Sequence, residues 1–152
     1  MTNRIKVLGI NIDPLTMRET VDAVEQYVLG ERTLHLMGVN ADKINQCHTD
    51  EKIKKIVNES GIINADGASV VLASKFLGTP VPERVAGIDL MQCLLELSNK
   101  KGYSVYFFGA KEEVLQDMLK VFKIDYPNLI VIGHRNGYFS ENDEKDIQED
   151  IR

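Results

Sequence analysis

Short runs of β-favouring residues recur along the chain, and each passes through a glycine or polar turn straight into a segment of helical periodicity. This alternation constrains the fold more than any other feature. Leu34 to Val39 leads through Asn40-Ala41-Asp42 into helical spacing, and Ile62 to Ala65 runs into Asp66-Gly67-Ala68-Ser69. Ser104 to Phe108 turns at Gly109-Ala110-Lys111 into a helix carrying Val114, Leu115, Met118 and Phe122. Leu129 to Ile132 is a further apolar run, followed by a loop from Gly133 to Phe139. Strands that alternate with helices of ten to fifteen residues imply βαβ units and a parallel sheet. The expected class is therefore α/β, Rossmann-like, with a mainly parallel sheet and helices on both faces. Ser104 to Phe108 and Leu129 to Ile132 are apolar enough to be covered on both sides.

The remaining segments fit that scheme. Ile5 to Ile12 alternates and reads as a strand or short hairpin, stopped by Asp13-Pro14. Thr16-Met17-Arg18-Glu19 has the form of a capping box, and Met17, Val21, Val24 and Val28 then follow at helical spacing to Gly30. Helices are expected over Ala41 to Cys47, over Glu51 to Val57, from Gly67 through Phe76, and after Gly87 with Ile88, Met91, Leu94 and Leu95 inward. A last helix starts at Ser140 and is cut off at Arg152, so the sheet is expected to be incomplete at its carboxyl-terminal end. At 152 residues, one domain is expected over 1–152, and a chain of this size can bury roughly 70% of its unfolded surface.

The net charge of −5 argues against a nucleic-acid partner, which calls for a basic face. A small phosphorylated ligand stays open, since one arginine and a few backbone N–H groups suffice for it. Cys47 and Cys93 stand far apart without metal-ligand spacing, so no metal site is expected, and both read as buried reduced thiols. The basic start, Met1 to Lys6, is not followed by an apolar stretch long enough for a signal peptide, and no run approaches the ~20 residues of a membrane span. A cytoplasmic location is expected.

Ligands of open parallel sheets bind beyond the carboxyl ends of the strands, at helix N-termini. Asp66 ends a strand there and could take a proton from an attacking hydroxyl, or could simply cap the helix that follows. Gly109 could let the backbone approach a phosphate, or could serve turn geometry alone. Arg84, in a proline-flanked loop, could pair with a diphosphate or with its neighbour Glu83. Of the histidines, His35 lies within a strand pattern and reads as packed, His48 sits at a helix end, and His134 lies in a loop where a ligand can be met. Neither G-x-G-x-x-G nor a P-loop pattern occurs. Three readings follow: a transferase with Asp66 as base; a phospho-acceptor domain, disfavoured because Asp13 alone stands where an acidic pair is needed; and a non-catalytic nucleotide-binding or assembly module.

Five ordered blocks carry a resemblance. They are Asn40-Ala41-Asp42, Asn64-Ala65-Asp66-Gly67, Pro82 through Leu90 (Pro-Glu-Arg-Val-Ala-Gly-Ile-Asp-Leu), Phe107 through Val114, and Asn136-Gly137-Tyr138-Phe139. Together they resemble the signature blocks of the WecG/TagA/CpsF glycosyltransferases, over essentially the whole chain. The resemblance implies an inverting, metal-independent transfer of an N-acetylmannosamine-type sugar in cell-envelope polysaccharide synthesis, with no cofactor beyond the UDP-sugar donor. The implied acceptor is a polyprenyl-diphosphate-linked N-acetylglucosamine at the inner membrane face. Asp66 matches the family's general base and Arg84 an arginine at the donor diphosphate. Asn40 falls in the donor pocket and Gly109 in the turn that approaches the nucleotide. Two departures stand out. Gly38-Val39 replaces the Thr-Pro that commonly precedes the first block, which removes a hydroxyl from the donor site. The family also continues beyond Ser140 with further strands, a Gln-containing segment and a basic appendage. A truncated chain of weak or no activity is thus expected, with an exposed strand edge and self-association into a homo-oligomer.

Overall fold

A computed structural model describes residues 3–151 and divides into two compact units, one up to Met91 and one from Gln92. Arg152, where the last helix was expected to be cut off, lies outside the described residues, as do Met1 and Thr2 at the basic start.

The first unit begins with an antiparallel hairpin of β1 (Ile5–Val7) and β2 (Ile10–Ile12). Its turn places Leu8 and Gly9 at positive φ, 49° and 82°. Helix α1 (Met17–Leu29) starts at the predicted box: the Thr16 hydroxyl accepts from Glu19 N–H, and the Glu19 carboxylate accepts from Thr16. Those bonds, first from the Thr16 backbone and then from its hydroxyl, hold the Glu19 carboxyl below the ordinary glutamate range. Next come β3 (Leu36–Val39), α2 (Ala41–Thr49), α3 (Glu51–Asn58), β4 (Ile62–Ala65) and α4 (Ala68–Phe76). Asp50 ends α2 and caps α3 by accepting from Lys52 and Ile53 N–H. Helix α5 (Gly87–Lys101) begins in this unit and ends in the second.

β3 and β4 pair in parallel, with Met37 opposite Ile63, Gly38 opposite Asn64 and Val39 opposite Ala65. Side chains alternate across a strand, so the pair has two distinct faces. Val39, Ile63 and Ala65 enter a core shared with Val7, Ile10, Ile12, Ile44, Cys47, Val57, Val70 and Val81. Gly38 and Asn64 lie on the other face, where Thr20 of α1 meets Asn64. β4 is buried throughout. Its second edge is occupied as well: Asp13 N–H donates to Ile63 O (2.8 Å), Ile63 N–H donates to the Asp13 carboxylate (2.8 Å), and Val85 N–H donates to Ala65 O (2.9 Å).

The second unit contains β5 (Ser104–Phe108), α6 (Glu112–Asp125), β6 (Ile130–Arg135), a 3₁₀ turn at Glu141–Asp143 and α7 (Glu144–Ile151). β5 and β6 are parallel, with an irregularity between Val105 and Tyr106. The α/β class stands, and both β-α-β ladders are parallel. The expectation that these two strands are covered on both faces does not hold among the described residues. Ile130, Val131, Ile132 and Phe108 are exposed, and each strand has one ladder neighbour. Apolar composition reports that a surface needs cover, not that the cover is at hand. Three smaller expectations also shift. His35 precedes β3 rather than lying within it and is exposed, with Nδ1 3.1 Å from Ser60 Oγ. His134 lies in β6, which runs on to Arg135, rather than in a loop. Cys47 is buried as expected, whereas Cys93 is only half-buried; both are free thiols. No helix among the described residues is long and apolar enough to cross a membrane.

Candidate functional site

Asp66 follows the last residue of β4, and its backbone N–H donates to Val39 O at 2.9 Å, shared with Gly67 N–H at 3.2 Å. The capping alternative for its side chain does not hold. The N-cap of α4 is Gly67, with no side-chain cap bond. The Asp66 carboxylate instead lies across β3 over Gly38. A Cβ on Gly38 would stand 3.1 Å from Asp66 Oδ2 and 3.3 Å from its Cβ, so a side chain there would displace the carboxylate. A Cβ on Gly87 would stand 3.7 Å from the same oxygen. Half-buried, the carboxylate makes no hydrogen bond or ion pair among the described residues. An acceptor-only group left in that condition has its lone pairs available to a ligand.

The surroundings are dominated by helix starts. Asn40 caps α2 by accepting from Lys43 N–H at 2.9 Å. A Cβ on Gly67 would come within 3.1 Å of Asn40 Cα, so the starts of α2 and α4 pack closely enough that a side chain there would push them apart by a few tenths of an ångström. α5 begins at Gly87, beside Asp66. Three helix N-termini thus lie around one carboxylate, each presenting N–H groups and the positive end of its dipole. That combination receives a phosphate readily.

Arg84 is held near the same place. Its neighbour Val85 bonds to Ala65, the residue before Asp66, so Asp66 and Arg84 flank a single backbone hydrogen bond. The guanidinium is exposed and pairs with Asp89 in the first turn of α5, at 3.5 Å. Its partner is therefore not Glu83, whose carboxylate accepts from Met17 N–H at the start of α1 and so ties the loop to that helix. An exposed pair of this kind is weak, of order 0–1 kcal/mol, and leaves most of the five guanidinium donors for an anion.

The first unit therefore brings together Asp66, Asn40 and Arg84. Gly109 and His134 belong to the second. Gly109 has φ 139°, a conformation that strains any other residue, so turn geometry alone accounts for a glycine there. Its N–H donates to Arg135 O at 3.0 Å, and Gly137 approaches so closely that a Cβ would stand 3.1 Å from Gly109 Cα. α6 then starts at Lys111 without a side-chain cap. His134 is exposed, with Nε2 2.9 Å from Gln116 Nε2; that amide also donates to Glu112, so the imidazole nitrogen accepts. Bonds from Gln116 and then Asn136 hold the Glu112 carboxyl below the ordinary range.

Gly38, which the sequence shows only as a lost hydroxyl, matters for the space its missing side chain leaves to Asp66. Asn64 is the participant the sequence reading lacks. Asn64 is 2% exposed, and its Oδ1 is a buried acceptor with no partner among the described residues. A polar residue within an otherwise apolar strand, two positions before Asp66, was the available signal for it.

Residues 5–152 match the family described as "Glycosyl transferase WecG/TagA/CpsF family". The chain is also similar to "N-acetylglucosaminyldiphosphoundecaprenol N-acetyl-beta-D-mannosaminyltransferase" from Staphylococcus aureus strains NCTC 8325 / PS 47 and COL. In both cases it is 30% identical over 145 residues, which cover 94% of this chain and 57% of the relative. The relative of the same name from strain MRSA252 matches to the same extent. The chain thus spans little more than half the length of these curated relatives. With a family match that runs from the first strand to the last residue, the chain belongs to the WecG/TagA/CpsF glycosyltransferase family.

Proposed function

We propose that this chain carries the donor site and the general base of an inverting glycosyltransferase, which moves an N-acetylmannosamine-type sugar from UDP to a polyprenyl-diphosphate-linked N-acetylglucosamine. The observation that carries the reading is the unpartnered Asp66 carboxylate among three helix starts, with Arg84 across one backbone bond from it. In the proposed step an acceptor hydroxyl gives its proton to Asp66, and its oxygen bonds to the anomeric carbon from the face opposite UDP. The bond from that carbon to the phosphate oxygen breaks, and its electron pair leaves on the diphosphate. Arg84 and the helix N-termini stabilise the charge that collects there. A single displacement of this kind inverts the anomeric centre. Asn40, Gly109 and His134 are assigned to substrate binding, and residues 1–152 to one nucleotide-sugar-binding domain. The chain acts at the inner face of the membrane, where its acceptor is anchored.

Calorimetric titration tests the donor assignment. UDP is expected to bind, and Arg84→Ala to weaken it by about tenfold to a hundredfold, the size of a lost hydrogen bond between charged groups. Unchanged affinity in Arg84→Ala would remove the diphosphate contact from the proposal. The exposed residues Ile130 and Ile132 on β6 support the further proposal that the chain forms homo-oligomers. Light scattering is expected to show a mass above that of one chain, and a monomer persisting at high concentration contradicts this.

A further inference from the structure

We propose that Gly38 and Asn64 form a notch beside Asp66 that receives a hydrogen-bond-donating substituent of a sugar, a hydroxyl or an acetamide N–H. This rests on the function proposed above and names a contact within it.

The orientation of the Asn64 amide is determined by its neighbours. Thr20 Oγ1 donates its only hydrogen to Thr16 O at 2.9 Å, so toward Asn64 it can only accept. Asn64 Nδ2 fills that role at 2.9 Å. Oδ1 is therefore the free end of the amide, and it is buried without a partner among the described residues. A buried acceptor left unpaired is costly, by roughly 1–3 kcal/mol, and native structures seldom keep one without a use for it. Along β4, Asn64 and Asp66 are two residues apart and share a face. Across the ladder, Asn64 stands opposite Gly38, the residue over which the Asp66 carboxylate lies. Gly38 is itself only half-buried. Two groups that can only accept thus adjoin one gap left by a missing side chain, and none of the three supplies a donor. The complement of such a gap is a donor, and a sugar ring offers several. In the proposed contact the Asp66 side chain turns away from Gly38, and the sugar substituent takes its place beside Asn64 Oδ1.

The donor group can come from the transferred sugar or from the acceptor sugar, and binding measurements separate the two. The probes are UDP, UDP-N-acetylmannosamine, and a water-soluble N-acetylglucosaminyl diphosphate with a short alkyl chain, each titrated calorimetrically into the wild-type chain, Gly38→Ala and Asn64→Leu. Gly38→Ala places a methyl in the gap. It keeps the test informative should Asn64→Leu fail to fold. UDP affinity is expected to stay within about twofold, while one sugar-bearing probe loses about tenfold, the size of one neutral hydrogen bond. Loss confined to UDP-N-acetylmannosamine assigns the notch to the donor sugar, and loss confined to the alkyl diphosphate assigns it to the acceptor. If both sugar probes bind the variants as they bind the wild type while UDP binds normally, the notch is overturned and the function proposed above stands. If UDP binds none of the three proteins but the acceptor probe still loses affinity in the variants, the notch stands and the UDP-dependent reading falls.

Discussion

Asp66→Asn is expected to lower sugar transfer by about 10²–10⁴-fold, the usual range for removing a general base, while UDP affinity stays within about twofold. The substitution is nearly isosteric, so the side chain can still lie over Gly38. The backbone bond from residue 66 to Val39 O does not involve the side chain and is unaffected. The contacts assigned to UDP come from Arg84 and the helix starts, and these are also unchanged. What is lost is the capacity to take a proton, which enters only as the acceptor oxygen attacks. An interaction of that kind appears in turnover rather than in donor binding. Transfer of a labelled sugar to the lipid-linked acceptor, measured beside a calorimetric UDP titration, checks both halves. Transfer retained within a few-fold of wild type would take the base role from Asp66. A parallel loss of UDP affinity would point to Asp66 as a donor-site residue instead.

Much of this arrangement was legible in the sequence because it is local. The capping box at Thr16, the run from Ile62 to Ala65 into a helix, and the turn at Gly109 each depend on residues within a few positions of one another, and each formed as read. The position of Asp66 at the end of β4 was legible for the same reason. What its side chain does was not. Whether Asp66 caps α4 or lies free depends on Gly38 in another strand, and the missing Cβ that makes room for it leaves no trace in local periodicity. Arg84 was open between Glu83 and a ligand. The structure shows a third partner, Asp89, while Glu83 is drawn to α1, 66 residues away in sequence. The exposure of β5 and β6 is not legible in sequence, because an apolar strand has the same composition whether covered or exposed. At His134 the strand boundary differs from the one Gly133 implies: Gly133, His134 and Arg135 continue the β6 ladder opposite Tyr106, Phe107 and Phe108.

Arg4→Ala is expected to destabilise the chain by about 3 kcal/mol, the low end of the range for breaking a buried ion pair from one side, because Asp13 is buried while Arg4 is only half-buried. The Arg4 guanidinium donates to Asp13 Oδ1 at 3.1 Å and to the carbonyls of Asn58, Ser60 and Gly61 at 3.2, 2.6 and 2.7 Å. Asp13 is 3% exposed, so the substitution takes a cation away from a carboxylate that water barely reaches. Asn58 is the last residue of α3, where unpaired carbonyls and the negative end of the dipole favour a cation. The partners lie 9, 54, 56 and 57 residues from Arg4, so one planar group joins the segment after β2 to the end of α3 and the start of β4. That same Asp13 carboxylate accepts from Ile63 N–H and fastens the outer edge of β4, the strand that delivers Asp66. Arg4→Lys keeps the charge but presents no planar fork, so it is expected to recover only part of the loss. Urea unfolding of the three proteins reads the differences directly, and a change below about 1 kcal/mol for Arg4→Ala would mean that water replaces the guanidinium at little cost. Against a total stability of about 5–15 kcal/mol, the expected loss is a large share of what holds the domain folded. Asp66 follows the end of β4, three residues after the Ile63 that Asp13 fastens, so Arg4→Ala should weaken UDP binding only in step with the fraction unfolded, whereas a substitution within the donor site weakens it at full folding.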